Sequence, residues 1–208
     1  MAEEKIDFKK IEKKLYAPKR KPERIFVPEI NFLMVDGKGD PDGPEYQAAV
    51  QALYTIAYTI KMSKMGDTRL AGYNDFVVPP LEGFWWSEGK FDLADRDAWL
   101  WTSLLRQPDF VTAEVLEWAK QTAKKKKPAI DTSRVKLERF LEGECVQMMH
   151  IGPFSEEVET TAKLHQFMAE EGLHNDTGAV RKHHEIYLSD PRKTDQAKMR
   201  TILRLPVS

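Results

Sequence analysis

Residues 145–172 read CVQMMHIGPFSEEVETTAKLHQFMAEEG, and this stretch decides the fold. Cys145 to His150 is a short, mostly apolar run of strand type. Ile151-Gly152-Pro153-Phe154-Ser155 is a turn. Beyond it, Leu164, Phe167 and Met168 fall on one helical face as far as about Glu171, and Gly172 stops the helix. Ser155 marks the helix start, although Glu157 and Glu159 miss the capping-box register. Upstream, Val135 to Leu141 reads as a strand joined to Cys145–His150 through the turn Glu142-Gly143-Glu144. Downstream, His183 to Leu188 and Met199 to Leu205 read as two more strands. The order is strand, Gly-Pro turn, helix, strand, strand.

The same order precedes it. Ile30, Phe32 and Met34 lead to Asp36-Gly37 as a strand and turn, and the loop Gly37 to Pro44 follows. That loop lacks the Lys-Ser/Thr and the spacing of a phosphate-binding loop. Pro44 opens a helix to about Met65, with Tyr46, Val50, Leu53, Ala57 and Ile60 at helical spacing and Tyr54 and Tyr58 on a neighbouring stripe. Phe76 to Trp86 is extended, weakened early by Pro79 and Pro80. Asp97 to Gln107 is the next strand, after a turn holding Glu88, Gly89, Lys90 and Asp92. Thr112 to Lys124, with Val115, Leu116 and Ala119 inward, is a connecting helix whose lysines suit its C-terminal dipole. The expected fold is therefore α+β: two pseudo-symmetric strand-helix-strand-strand modules, about residues 29–110 and 134–205, joined by a helix, with a ligand groove between them. Residues 1–28, rich in charge and broken by Pro18 and Pro22, read as an arm over the body, with a domain at 29–208.

Composition bounds the function. The 208 residues carry 32 Lys+Arg against 33 Asp+Glu, a formal net charge of −1, which argues against nucleic acid as the main partner. One cysteine, Cys145, excludes an internal disulfide framework and a multi-cysteine zinc site; it reads as an inert core thiol in a reducing compartment. No apolar run approaches a membrane span, and Met1 to Lys14 has no apolar signal core, so a soluble, cytoplasmic protein is expected. Five Trp, six Tyr and ten Phe then need an explanation.

Strand alternation sorts the candidates for chemistry. Glu82, Phe84 and Trp86 share one face of their strand; His183, Glu185 and Tyr187 share one face of theirs. A carboxylate among strand aromatics is costly to bury unless it is paired, hydrogen-bonded or protonated, and such a cost is commonly kept for function. Backbone groups at a strand bulge could also satisfy Glu82. Each tryptophan singly is as readily core as ligand wall, but Trp85, Trp86, Trp99 and Trp101 crowd one segment, and flat rings bind planar or cationic ligands. His183 and His184 point to opposite faces and cannot chelate one metal, and His150, His165 and His174 lack zinc-ligand spacing. There is no Gly-x-Ser-x-Gly nucleophile elbow. No metal or organic cofactor is expected.

The motifs YQAAVQALYTIAYTIK, PPLEGFWW, MMHIGPFSE and HHEIYLSDP resemble the GyrI-like small-molecule-binding family over about Glu29 to Leu205. The resemblance implies a duplicated module and a ligand cleft holding the glutamate of the EIYLSDP strand, here Glu185. Relatives of this kind serve as the drug-binding part of multidrug-responsive regulators, but Met1 to Pro28 is too short for a helix-turn-helix domain. With its WW and WLW segments the chain looks like the stand-alone subfamily that hydrolyses cyclopropanoid DNA-alkylating xenobiotics of the yatakemycin and CC-1065 type in an aromatic cage, a detoxifying activity. On that reading Glu185 is the base, Tyr187 its hydrogen-bonding partner, and Tyr54, Trp86, Trp101, Phe84 and Phe167 the walls, with Glu82 assisting. Non-catalytic binding of planar or cationic drugs, and a gyrase-inhibitor-like protein interaction, stay open, as does a monomer or homodimer.

Overall fold

The computed structural model describes residues 5–66, 70–89, 94–178 and 180–208. The order is α1 (Phe8–Ile11), α2 (Lys13–Tyr16), β1 (Glu23–Lys38), α3 (Pro44–Lys61), β2 (Leu81–Trp86), β3 (Leu100–Arg106), α4 (Ala113–Lys126), β4 (Lys136–Ile151), α5 (Glu157–Glu170), β5 (His183–Tyr187) and β6 (Arg200–Pro206). From β1 onward the elements run strand-helix-strand-strand, helix, strand-helix-strand-strand, a mixed α/β fold with antiparallel strands. No described helix is long and apolar enough to cross a membrane. The chain forms two compact units: Met1–Ile11, Ile30–Pro79 and Ser87–Phe140, and Glu12–Glu29, Pro80–Trp86 and Leu141–Ser208.

In the first unit, β1 and β3 pair antiparallel from Phe32↔Arg106 to Lys38↔Leu100. α3 begins with Pro44 at its first position, where a missing N–H costs nothing, and buries Ala49, Leu53, Ile56 and Ile60 on one stripe. α4 opens on Thr112, whose hydroxyl accepts the Val115 N–H, and buries Val115, Leu116, Ala119 and Ala123; it packs on α3. Ile6 bridges to Phe76, and the Arg106 guanidinium lies 3.8 Å from the Phe8 ring centroid. Trp101 is fully buried: its ring stands over Gly37, its Nε1–H donates to the Gly39 carbonyl at 3.2 Å, and Tyr46 meets it edge-on at 4.9 Å. A Cβ on Gly37 would fall inside that ring. Gly37→Ala is therefore expected to cost at least the roughly 1–3 kcal/mol of an overpacked core, read as a lowered urea midpoint at unchanged slope.

In the second unit, β2, β5, β6 and β4 are antiparallel neighbours in that order. α5 covers one face, where Leu164 and Met168 pack with Val146, Met148, Leu203, Leu205 and Val207.

Three sequence expectations change. The strand expected from about Glu29 begins at Glu23, inside the segment read as an arm, where Phe8, Leu15 and Tyr16 are buried. Glu142-Gly143-Glu144 is not a turn. β4 runs unbroken through it, because Gly143 takes the left-handed φ of +74° and Glu142 points into the interior. The extended segment from Phe76 becomes a strand only at Leu81, after the two prolines. Lys90 and Asp92 of the expected turn, like Met1 to Glu4 of the arm, lie outside the described residues.

Candidate functional site

The register of the second unit separates two sets of polar residues. Gly83 lies opposite Glu185, Trp85 opposite His183, and Tyr187 opposite Thr201, so these residues share the face covered by α5. Glu82, Phe84, His184 and Ile186 occupy the other face.

On the α5 face the hydrogen bonds form a chain with a fixed direction. An indole N–H can only donate, and a carboxylate can only accept. The Trp85 Nε1–H therefore donates to the Tyr187 oxygen at 2.8 Å, and Tyr187 gives its single proton to Glu185 Oε2 at 2.8 Å. His183 Nε2 lies 3.1 Å from the other oxygen, Oε1, and must be the donor there. The carboxylate of Glu185 is thus held at both oxygens, each with a second lone pair to spare. Gly83 makes this possible. A Cβ there would come within 2.8 Å of Trp85 Nε1 and 3.1 Å of the Tyr187 hydroxyl, the two groups of the hydrogen-bond chain that ends on Glu185. Phe154 meets the Tyr187 ring edge-on at 5.7 Å and is 43% exposed, giving this face an aromatic rim.

Glu157, the first residue of α5, completes the group. A carboxylate in the first turn of a helix is ordinarily favoured in its charged form by the helix dipole. Here burial, and then the negative charge of Glu185, push the Glu157 carboxyl up to about 10; the nearby Thr201 hydroxyl offsets only part of this. Glu157 is therefore neutral at pH 7. Two carboxyl groups therefore lie close together on this face, Glu157 held neutral beside Glu185.

On the opposite face, His184 sits between two carboxylates: Nε2 is 2.9 Å from Glu82 Oε2, and Nδ1 is 3.1 Å from both oxygens of Glu142. Two carboxylate partners require both ring nitrogens to donate, so the ring is an imidazolium. Burial works to lower its pKa, yet the Glu142 charge and the bonds to Glu142 and Glu82 leave it raised. Arg204 donates to Glu142 Oε2 at 3.0 Å, to Gln147 Oε1, and to the Leu15 carbonyl at 3.1 Å. Tyr16 donates to Glu82 and Gln147 to the Lys14 carbonyl. Two cations face two anions, and α2 is tied to the sheet through them.

The residues singled out from sequence thus fall in different places. Glu185 and Tyr187 are adjacent. Glu82 and Phe84 lie on the other face, Glu82 bonded to His184 and Phe84 meeting the His184 ring edge-on with centroids 4.7 Å apart. Trp86 ends β2 with the Lys182 ammonium 4.2 Å over its ring. Phe167 packs against the apolar cluster under α5. Tyr54 and Trp101 belong to the first unit, Tyr54 stacked on Tyr58. Sequence reasoning passed over Glu157, Trp85 and His183 as site residues. For His183 and Trp85 the signal was strand parity with Glu185 and with Gly83; for Glu157 it was an acidic first turn directly after Gly152-Pro153-Phe154. Burial pushes the Cys145 thiol well up, in keeping with an unreactive core position.

Residues 20–208 match the model of the GyrI-like small molecule binding domain. Among solved structures, the chain is similar to a conserved protein from Listeria innocua (83% identity, TM-score 0.97, 98% of this chain and 100% of that one). It is also similar to two hydrolases from Listeria innocua: one at 79% identity and TM-score 0.92, covering 98% of this chain and 100% of the other, and one at 82% and 0.94, covering 99% and 100%. Curated proteins give no match.

Proposed function

The chain belongs to the GyrI-like small molecule binding domain family, and from that premise we propose that it binds a planar, drug-sized molecule and hydrolyses the activated cyclopropane of cyclopropanoid alkylating compounds of the yatakemycin and CC-1065 type. The observation that carries this reading is Glu185, a carboxylate oriented by Tyr187 and His183 beside a carboxyl that stays neutral. The two similar Listeria hydrolases support a reaction rather than binding alone.

The substrate class joins a strained three-membered ring to a cyclohexadienone. Water attacks a ring carbon, the ring bond breaks, and its electron pair runs through the conjugated ring to the carbonyl oxygen, which becomes a phenol on taking a proton. Restored aromaticity drives the step, so the protein must orient a water, remove its proton and hold the planar body. Glu185 removes the proton. Tyr187 and Trp85 keep its carboxylate aimed, and the rings of Tyr187 and Phe154 offer an aromatic surface. Turnover would consume the alkylating ring before it met DNA.

The test is incubation of the protein with a spirocyclopropyl cyclohexadienone in ¹⁸O-water, followed by mass spectrometry of the small molecule. A product heavier by one labelled water is expected. Tight binding with the drug recovered unchanged would replace the hydrolase by a sequestering or sensing module.

A further inference from the structure

The start of α5 carries charges that the Glu185 site does not use. In the second unit they border an open cavity of about 160 Å³, lined by Arg20, by residues 148–151 of β4, and by Glu156, Glu159, Thr160 and Lys163. Its inner lining is fixed. His150 and Thr160 are both buried, and His150 Nδ1 lies 2.8 Å from Thr160 Oγ1. His150 Nε2 lies 3.1 Å from the Pro153 carbonyl and must donate to it. Arg20 is held beside β4 by its neighbours: the Met149 N–H donates to the Lys19 carbonyl at 2.8 Å, and Pro18 is buried. Gly152, at a φ of +141°, leaves room for the Glu156 carboxylate, since a Cβ there would come within 3.1 Å of Oε2.

Arg20, Lys163, Glu156 and Glu159 bring two charges of each sign to this cavity. Among the described residues, none of the four side chains forms a hydrogen bond or an ion pair. Glu159 and Lys163 stand one helical turn apart, in the order that ordinarily pairs on a helix, yet they do not pair. The two glutamates disfavour a simple anion, and Arg20 and Lys163 disfavour a simple cation. A ligand carrying both charges satisfies both sets. The lining is almost wholly polar, and the volume is below the roughly 300–1,000 Å³ of a drug-sized site, so the ligand is small and has little apolar surface. We propose that this cavity binds a small zwitterion with neighbouring ammonium and carboxylate groups, of the class of the free polar α-amino acids. Its carboxylate goes to Arg20, whose planar fork matches it, and to Lys163. Its ammonium goes to Glu156 and Glu159. This site does not depend on the reading of Glu185.

The experiment is calorimetric titration of the whole chain with three probes. Serine carries both charges; 3-hydroxypropionate is serine without the ammonium, and ethanolamine is serine without the carboxylate. Serine is expected to bind with a dissociation constant of about 1 mM or below, a modest demand on a ligand of that size. Each truncated probe should bind at least about tenfold more weakly, the worth of one lost hydrogen bond to a charged group. Glu159→Gln and Lys163→Gln should each weaken serine by at least about tenfold. Both side chains are exposed, so the variants keep the fold, and an unchanged denaturant midpoint checks this. The comparison of the three probes on the wild-type chain needs no variant. No saturable binding of serine at about 10 mM would overturn the proposal. Equal binding of 3-hydroxypropionate would overturn the zwitterion class and leave a plain anion site. Undiminished binding in both variants would place serine elsewhere and overturn this cavity as the site.

Discussion

Glu185→Gln is expected to lower turnover of the cyclopropyl dienone by about 10²–10⁴-fold, the range for a positioned general base, while the dissociation constant of the intact drug moves little. Glutamine fills the same volume and can still accept the proton of the Tyr187 hydroxyl, so the wall of the site survives. What it loses is the ability to take a proton from water. Single-turnover rates and equilibrium binding on the same preparation separate the two effects. Turnover at the wild-type rate would remove Glu185 as the base, and a matching loss of binding would make it a ligand contact instead. Tyr187→Phe is the informative companion: the carboxylate stays, but Oε2 loses the donor that aims it.

The second large effect falls on stability, on the opposite face of the same strands. Removing one partner of a buried ion pair leaves an uncompensated charge and costs about 3–5 kcal/mol. Glu142→Leu strands His184 and Arg204, both fully buried, with Glu82 as their remaining carboxylate among the described residues. The expected loss is in that range, measured from the denaturant midpoint. Adding Arg204→Met should recover part of it, because the orphaned guanidinium leaves with its partner. A single replacement as destabilising as the pair would show that packing, not charge, is at stake. The pH dependence follows from the shifts. Burial works to raise Glu142, but the charges of His184 and Arg204 hold it at about 2, below its ordinary 4.5, so its contribution is full above 4.5 and lost as pH falls through 2. His184 is raised above its ordinary 6.5, so its contribution is full below 6.5 and lost as pH rises through the folded value. The network is at full strength between about pH 4.5 and 6.5.

How much of this was legible in the sequence depends on whether the signal was local. Strand parity gave the shared face of His183, Glu185 and Tyr187 directly, and helical spacing gave α3, α4 and α5 with most of their inward residues. Which face of β2 meets Glu185 is a matter of register, and register is non-local. The pairing Gly83↔Glu185 puts Glu82 on the far side, with His184. Glu142-Gly143-Glu144 carried turn chemistry that a tertiary demand overrode, since Glu142 is needed as the anion for two buried cations. Glu157 could be read as an acidic first turn, but not as a neutral acid, because its state depends on a strand 28 residues further along. Residues 12–16 read only as part of a charged arm over the body, and nothing in their composition announced that two of their carbonyls and one hydroxyl satisfy buried side chains.

That last feature bears on how the chain is made. The bond from Arg204 to the Leu15 carbonyl joins residues 189 positions apart. During synthesis Leu15 and Tyr16 leave the ribosome early and wait for partners that are translated last. Until β6 emerges, the second unit holds Glu142 and Glu82 without Arg204, and the strand that joins β5 to β4 is missing. It therefore completes its interior only after translation has passed residue 204, as a late, high-contact-order event. A chaperone or protease meeting the nascent chain would find β2 without its β5 partner from residue 86 until residue 183 is made.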